Sequence, residues 1–204
     1  MTRFRLQAIT ILVTLLPALG LGVRFATEGP GPNPVDDLTH VTGEWGLRFL
    51  LLSLAVTPAR RWLGWTWATP LRRTLGLAAF CYATAHLSTW AIFDLGLDLS
   101  AITEDVFERP YVTAGMAAFT ILTTLAITST RGWMKSLGQR WVSLHRAVYA
   151  AGALAVLHHF WLVKADYLPA IVHGVVLAGL FAARLVWRAR AARRGLTASR
   201  FQPP

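Results

Sequence analysis

Long apolar stretches alternate with short polar segments along almost the whole sequence. Six of these stretches predict α-helices that cross a hydrocarbon layer about 30 Å thick, at about residues 6–25, 44–57, 75–95, 111–128, 143–163 and 168–187. Residues 98–108 instead alternate apolar side chains with acids, which is typical of a short helix lying in the membrane interface. The pattern predicts an all-α integral membrane protein, with a six-transmembrane-helix bundle formed by a single domain, residues 1–204.

The connecting segments carry signals for helix ends and turns. Residues 27–43 are rich in Pro and Gly and are expected to form a loop. Thr57 and Pro58 are expected to end the second span and Pro110 to begin the fourth, because proline suits a first helical turn and breaks a helix interior. Residues 131–140 are expected to form a basic loop, and residues 188–204 a basic tail. The first span is too long for the apolar core of a signal peptide and is expected to be retained.

Composition and charge agree with a membrane location. The chain is 54% hydrophobic and 15% charged, more apolar than a soluble domain can bury. All but four of the 20 Lys and Arg residues fall on one side of the predicted bundle, and all ten acids fall on the other. By the positive-inside rule both termini are cytoplasmic. The net charge of +10 then reflects orientation and lipid contacts, and no nucleic acid partner is expected.

Two absences limit the chemistry of the chain. The single cysteine, Cys81, lies within a predicted span, so no intramolecular disulfide and no Cys-x-x-Cys-His haem attachment can form. No glycine-rich nucleotide motif follows a strand pattern, so the chain cannot take hydride from a nicotinamide by itself. We expect no substrate-reducing active site of its own.

The histidines of the third and fifth spans are the strongest candidates for function. His145 and His158 are 13 residues apart, which is roughly 20 Å along an α-helix, so one lies in each leaflet. Ionisable residues inside spans usually face the bundle interior and have a function. Two neutral imidazoles at different depths suit the axial ligation of two haems. His86, in the outer half of the third span, lies at the level of His158 and predicts a haem between the third and fifth spans.

Helical phase leaves the outer ligand open between His158 and His159. In a straight helix His145 and His158 are about 140° apart and His145 and His159 about 40° apart. Either the helix is bent or wound differently, or the histidines address differently placed haems. For His40 and His173, a packed histidine bonded to a neighbouring carbonyl is the favoured interpretation.

Seven segments of the chain are informative together: "HVTG" (40–43), "TP" (57–58), "RRTLGL" (72–77), "ATAHLS" (83–88), "RPYVTAG" (109–115), "TSTRGWMKSLGQRWVSLHRAVY" (128–149) and "HHFWLVK" (158–164). In order and spacing they resemble the haem-binding membrane subunits of bacterial periplasmic methionine-sulfoxide reductase systems, within the ferric-reductase-like transmembrane superfamily. The resemblance implies b-type haem, one or two, on His86, His145 and His158, with FMN a further cofactor. It also implies a bacterial inner-membrane location, the quinone pool or a cytosolic flavin reductase as electron donor, and a periplasmic molybdenum-containing catalytic subunit as acceptor.

The inner level departs from the wider superfamily, whose oxidases carry two histidines on the third span. The position 14 residues before His86 is here Arg72, so His145 lacks an obvious second histidine. A one-sided haem, a non-histidine ligand, or a flavin near Arg72 and Arg73 are all compatible with the sequence. Arg48, four residues after Glu44, suits an ion pair or a haem propionate contact.

The sequence therefore favours an electron conduit that passes electrons from a cofactor near His145 to an outer haem and on to a periplasmic reductase. Two other classes stay open. A small proton-coupled transporter also uses buried histidines, although no inverted repeat and no intramembrane carboxylate is evident. A membrane anchor for a periplasmic enzyme needs partner contacts but no redox cofactor.

Overall fold

The computed structural model describes residues 3–200, with side chains described over 4–193. All its regular elements are helical within these residues. They comprise α1 (Arg3–Glu28), α2 (Pro34–Trp62), a 3₁₀ turn (Thr66–Ala68), α3 (Leu71–Thr89) continued by a π-helical turn (Trp90–Asp94), α4 (Leu99–Glu108), α5 (Pro110–Ile127), α6 (Arg131–Leu137), α7 (Gln139–Leu144), a 3₁₀ turn (His145–Ala147), α8 (Val148–Leu162) and α9 (Leu168–Arg200).

Helix α2 is the centre of the bundle. It packs most extensively on α3 and also touches α1, α8 and α9, while α5 packs on α8. Leu50 and Leu54 of α2 are the largest fully buried side chains. Gly46 allows the close crossing with α3, since a Cβ there would lie 3.4 Å from the Ala83 nitrogen. The two helix pairs, α2 with α3 and α5 with α8, position the candidate site.

Pro58 does not end α2, contrary to expectation, and the helix continues to Trp62. A proline inside a helix has no N–H for the carbonyl four residues earlier, which here is that of Leu54. Arg184 of α9 donates a hydrogen bond from Nη2 to this carbonyl. It also donates from Nη1 to the Leu180 carbonyl at 3.0 Å. The guanidinium thus compensates the bond that proline removes and joins α9 to the core helix.

The predicted loop at residues 27–43 is wrong for most of its length. The helix α2 begins at Pro34, ten residues before the predicted span. The Asn33 side chain caps it by accepting a hydrogen bond from the Asp36 N–H at 3.3 Å. Asp36 and Asp37 lie in the first turn, where negative charges interact favourably with the helix dipole and stabilise the helix. Asp37 also pairs with Arg24 of α1. These residues form a helix start, with the loop confined to residues 29–33.

The predicted basic loop at residues 131–140 is wrong as well, because this segment forms α6 and the start of α7. The Thr130 side chain caps α6, accepting from the Trp133 N–H at 3.4 Å. Gly138, with φ of 49°, separates the two short helices. The predicted fifth span is one α-helix only from Val148 onward, because His145–Ala147 is wound as 3₁₀. Different winding was one of the alternatives that the sequence left open.

Four helical segments of the described chain are long and apolar enough to cross a membrane: Phe4–Glu28, Leu71–Asp94, Pro110–Ile127 and Leu168–Arg193. The other two predicted spans correspond to α2, which carries charges in its first half, and α8, which has 15 residues. The count of six therefore stays a prediction. The expected tail is helical to Arg200 as part of α9; residues 201–204, and the side chains of 194–200, lie outside the described residues.

The bond between Arg184 and the Leu54 carbonyl generates a first prediction. Arg184→Leu leaves a buried carbonyl unpaired and should lower the melting temperature in detergent by about 5 °C. In a Pro58→Ala background, where the introduced alanine supplies the N–H that α2 lacks, the same change should cost less than half as much. Differential scanning fluorimetry of the four proteins measures this, with Arg190→Leu on α9 as a charge-loss control. An equal loss in both backgrounds would contradict the compensation.

Candidate functional site

His86 on α3 is held by two features of α2. Its Nδ1 lies 3.0 Å from the carbonyl oxygen of Thr39, and its ring lies against Gly43, where a Cβ would be 2.9 Å from the same nitrogen. A carbonyl can only accept, so Nδ1 is protonated and donates, and Nε2 carries the lone pair in the neutral ring. Glycine at position 43 therefore gives the space that the ring needs, and the Thr39 carbonyl selects its tautomer.

His158 on α8 is held in the same way by α5. Its Nδ1 donates to the carbonyl oxygen of Tyr111 at 2.7 Å, and a Cβ on Gly115 would lie 2.8 Å from that nitrogen. In both halves the carbonyl residue precedes the histidine by 47 residues, and the glycine follows the carbonyl residue by four. The pair α5 and α8 thus repeats the pair α2 and α3.

The two repeated histidines meet in the bundle. Their ring centroids are 6.0 Å apart and their planes are at 79°. Within the described residues, no hydrogen bond engages the Nε2 atom of His86 or of His158. A metal bound by two opposed imidazoles at about 2.0 Å from each nitrogen places the centroids about 6.3 Å apart. The spacing of the two rings therefore matches that of two histidines that hold one metal centre, and each ring is oriented by a carbonyl as metal-binding histidines usually are.

His159 is not brought to His86. It lies instead beside His173 of α9, with ring centroids 5.4 Å apart. The three residues of 3₁₀ winding reduce the angle between His145 and His158 to about 80° and that between His145 and His159 to about 20°, so helical phase still favours His159. His145 contacts Thr128 and His158 contacts Tyr111, at opposite ends of α5. The packing of α8 on α5, and not the helical phase, therefore selects His158.

His145 lies apart from this pair, beside a second feature on the basic side of the bundle. The Thr128 hydroxyl lies 3.1 Å from its Nε2, and Trp141 stacks on its ring with centroids 3.9 Å apart. A cavity of about 470 Å³ adjoins it. Five arginines line the cavity and no acid does: Arg61, Arg72, Arg73, Arg146 and Arg188. The cavity is therefore suited to a planar anionic ligand.

Of the predicted arginines, Arg72 and Arg73 line this cavity and Arg48 does not. Arg48 donates to Glu44 at 2.6 Å, the ion pair that the sequence offered as one interpretation, and its guanidinium lies over the Trp45 ring at 4.9 Å. Arg48 is therefore engaged within α2 and is not part of the cavity beside His145.

The sequence analysis missed the residues that orient the histidines. Gly43, Gly115, Thr39 and Tyr111 act through a backbone atom or through the lack of a side chain, so no side-chain chemistry marks them. The equal spacing from each glycine to its histidine was the available signal. Thr128 and Trp141 were also missed, because their contacts with His145 depend on how the end of α5 and the short helix α7 pack against it.

Comparison with known proteins places this arrangement in a family. Residues 42–156, more than half of the chain, match the model of the ferric reductase like transmembrane component. The matched region contains Gly43, His86, Gly115 and His145 and ends two residues before His158. The family match therefore covers the two repeated helix pairs except for the first eight residues of α2, which include Thr39, and the last part of α8.

Individual relatives match over nearly the whole chain. A protein-methionine-sulfoxide reductase heme-binding subunit MsrQ of Rhodospirillum rubrum is 46% identical, covering 95% of this chain and 94% of its own. The proteins of that name from Azospira oryzae and Herminiimonas arsenicoxydans are 44% and 42% identical, covering 91% and 89% of this chain and 80% and 85% of their own. The chain therefore belongs to the ferric-reductase-like transmembrane family, and within it to the MsrQ proteins.

Proposed function

We propose that the chain is a b-type cytochrome subunit that carries electrons across the bacterial inner membrane to a periplasmic methionine-sulfoxide reductase. The observation that carries the proposal is the close pair of His86 and His158, with ring centroids 6.0 Å apart. Both rings have a donor nitrogen fixed by a carbonyl and a second nitrogen without a hydrogen-bond partner among the described residues. Relatives that are similar over almost their full length are named heme-binding subunits of this type of reductase.

The residues fit one haem b between α3 and α8. His86 and His158 would hold its iron through their Nε2 atoms, and no covalent attachment is available, since Cys81 is the single cysteine. When bound, the haem supplies one-electron chemistry. The Thr39 and Tyr111 carbonyls keep both rings in the tautomer that binds iron, and Gly43 and Gly115 let the rings reach them.

A second cofactor belongs in the cavity beside His145. Five arginines and Trp141 complement an aromatic anion, which is the shared chemistry of haem propionates and of the phosphate of FMN. Thr128 engages the Nε2 atom of His145, which favours FMN, because a second haem on that nitrogen requires the hydroxyl to move away. Either cofactor lies at the basic side, where the positive-inside rule puts the cytoplasm and both termini.

Electrons then enter at the cytoplasmic side and leave at the acidic side. The quinone pool or a cytosolic flavin reductase is the donor, and a periplasmic molybdenum-containing catalytic subunit is the acceptor. The chain has no substrate-reducing site of its own in this scheme. The chain carries electrons only, and its periplasmic partner repairs oxidised methionine in proteins.

Haem content of the purified protein tests the assignment. We expect a low-spin haem spectrum in the parent and the loss of most of the outer haem in His86→Ala and in His158→Ala, because a single remaining imidazole leaves one face of the iron without its ligand. His40→Ala removes an exposed histidine from the same end of the bundle and serves as the matched control. A colourless parent protein would instead support a transporter or a membrane anchor. Full retention of low-spin haem in both variants would refute the assignment of His86 and His158 as ligands.

The glycines give an independent prediction. Gly43→Ala and Gly115→Ala each place a methyl group within 3.0 Å of an imidazole nitrogen, and should shift the haem spectrum and weaken haem retention to a similar extent. Gly22→Ala on α1, where nothing lies within 4 Å, is the control. The measurement is the visible spectrum and the haem-to-protein ratio after size-exclusion chromatography. Variants indistinguishable from Gly22→Ala would refute the close packing of ring on glycine.

The identity of the inner cofactor is decided by His145→Ala and Arg73→Gln. If FMN occupies the cavity, His145→Ala keeps the parental haem content, and Arg73→Gln lowers flavin content several-fold, because it removes charge opposite the phosphate. If a second haem is bound through His145, the parent holds two haems and His145→Ala one. Haem extraction and flavin fluorescence measure both quantities in the same sample. A parent with one haem and no flavin would contradict the proposed inner cofactor.

A further inference from the structure

Helices α8 and α9 leave an open groove between them at the basic side of the bundle. Its volume is about 220 Å³, and five side chains line it, three apolar or aromatic and two cationic: Tyr149, Phe181, Leu185, Arg184 and Arg188. Arg188 and Tyr149 also line the larger cavity beside His145. Phe181 and Leu185 do not line that cavity. The groove is therefore a separate space that combines an apolar part with a cationic part.

The apolar part of the groove is open to the membrane. The rings of Tyr149 and Phe181 meet edge-on, with centroids 5.9 Å apart and planes at 88°. Leu185, beside them, is 65% exposed. Because α9 contains an apolar segment long enough to cross a membrane, this exposed side chain faces hydrocarbon. A lipid chain can therefore lie along Phe181 and Leu185 without entering the bundle.

The cationic part carries positive charge that no acid of these two helices balances. The Arg184 guanidinium donates to the carbonyl oxygens of Leu180 and Leu54, which are neutral acceptors. Arg188 makes no hydrogen bond or ion pair with any described residue. Neither α8 nor α9 contains an Asp or Glu, and Asp166 precedes the far end of α9. Arg188 is thus available to an anion, and the charge of Arg184 attracts the same anion.

The depth of the two arginines matches that of lipid headgroups. Helix α9 begins at Leu168, so Arg184 and Arg188 lie roughly 24 and 30 Å along its axis. A hydrocarbon layer is about 30 Å thick, which puts both guanidinium groups near its boundary on the basic side. Trp187 lies between them in the sequence, and tryptophan is enriched at that boundary. A ligand held here has its anion at headgroup depth and its apolar part in the layer.

We propose that the groove between α8 and α9 binds one anionic phospholipid, with its phosphate on Arg188 and an acyl chain along Phe181 and Leu185. Phosphate oxygens accept paired hydrogen bonds from a guanidinium, and basic pockets between spans on the cytoplasmic side suit such headgroups. A headgroup of net negative charge fits best, because the cation of a zwitterionic headgroup is repelled by two arginines. This site does not depend on the proposed function, and a protein without haem would retain it.

The test is native mass spectrometry of the full chain, delipidated in detergent and titrated with dioleoylphosphatidylglycerol. We expect one tightly bound lipid, held about fivefold more tightly than dioleoylphosphatidylcholine, which has the same chains. Arg188→Gln should weaken phosphatidylglycerol binding about fivefold, and Arg188→Lys should recover part of the loss.

Two further variants separate the groove from its surroundings. Leu185→Trp fills the apolar part without touching the larger cavity, and should weaken binding of phosphatidylglycerol to a similar extent. Val175→Trp is its matched control, because Val175 is another exposed apolar residue of α9, at 66%. Arg131→Gln removes a positive charge from the same side of the bundle and is the control for Arg188→Gln. Both controls should bind phosphatidylglycerol as the parent does.

Three results would overturn the site. Equal binding of the two lipids, or an equal loss in Arg131→Gln and Arg188→Gln, would reduce it to general attraction at the membrane surface. Parental binding in Leu185→Trp would remove the acyl chain from the groove. Inorganic phosphate that displaces phosphatidylglycerol and raises the melting temperature equally would assign Arg188 to a free anion. Elution as a single monodisperse peak reports folding, and Leu185→Trp decides the question if Arg188→Gln does not fold.

Discussion

The bond from each imidazole Nδ1 to a backbone carbonyl is the interaction on which the candidate site depends. A neutral histidine can present either nitrogen, and only an acceptor on one side decides which nitrogen keeps its lone pair. The backbone carbonyl oxygens of Thr39 and Tyr111 fix the tautomers of His86 and His158. No side-chain substitution removes these atoms. The glycine one turn after each carbonyl residue, Gly43 or Gly115, is equally necessary, because any side chain there would occupy the position of the imidazole ring.

The contact between an imidazole ring and a glycine requires two helices to lie very close to one another. Helix α2 is the element on which the neighbouring helices pack. Its most buried residues, Leu50 and Leu54, lie in two core clusters that join α3 and α8 on one side and α9 on the other. The proline in its last turns is tolerated because Arg184 binds the carbonyl that proline leaves free. A helix that carries the charges of Glu44 and Arg48 is thus the most central element, and these two charges lie in its N-terminal half, where they pair with each other.

Sequence reasoning found most elements and the histidines, and its errors have physical causes. The bounds of α5 followed from Pro110, and those of α3 from continuous apolar character. The start of α2 was missed because Pro34, Asp36 and Asp37 resemble loop residues in composition, although at these positions they favour a helix start. The choice between His158 and His159 could not be made from helical phase, which favours His159 even with three residues of 3₁₀ winding, because it depends on how α8 packs on α5. The ring contact of His159 with His173 depends on how α9 packs, which is a tertiary property.

The repeat of α2 and α3 by α5 and α8 also explains why the two levels of the bundle differ. At the outer level the repeat places a histidine in each half, so one metal centre can be bound symmetrically. At the inner level His145 lies thirteen residues before His158, and the residue thirteen before His86 is Arg73. An arginine stays protonated and has no lone pair for iron, but it binds anions through several donors. The same architecture therefore places a pair of histidines at one level and an arginine-lined cavity at the other.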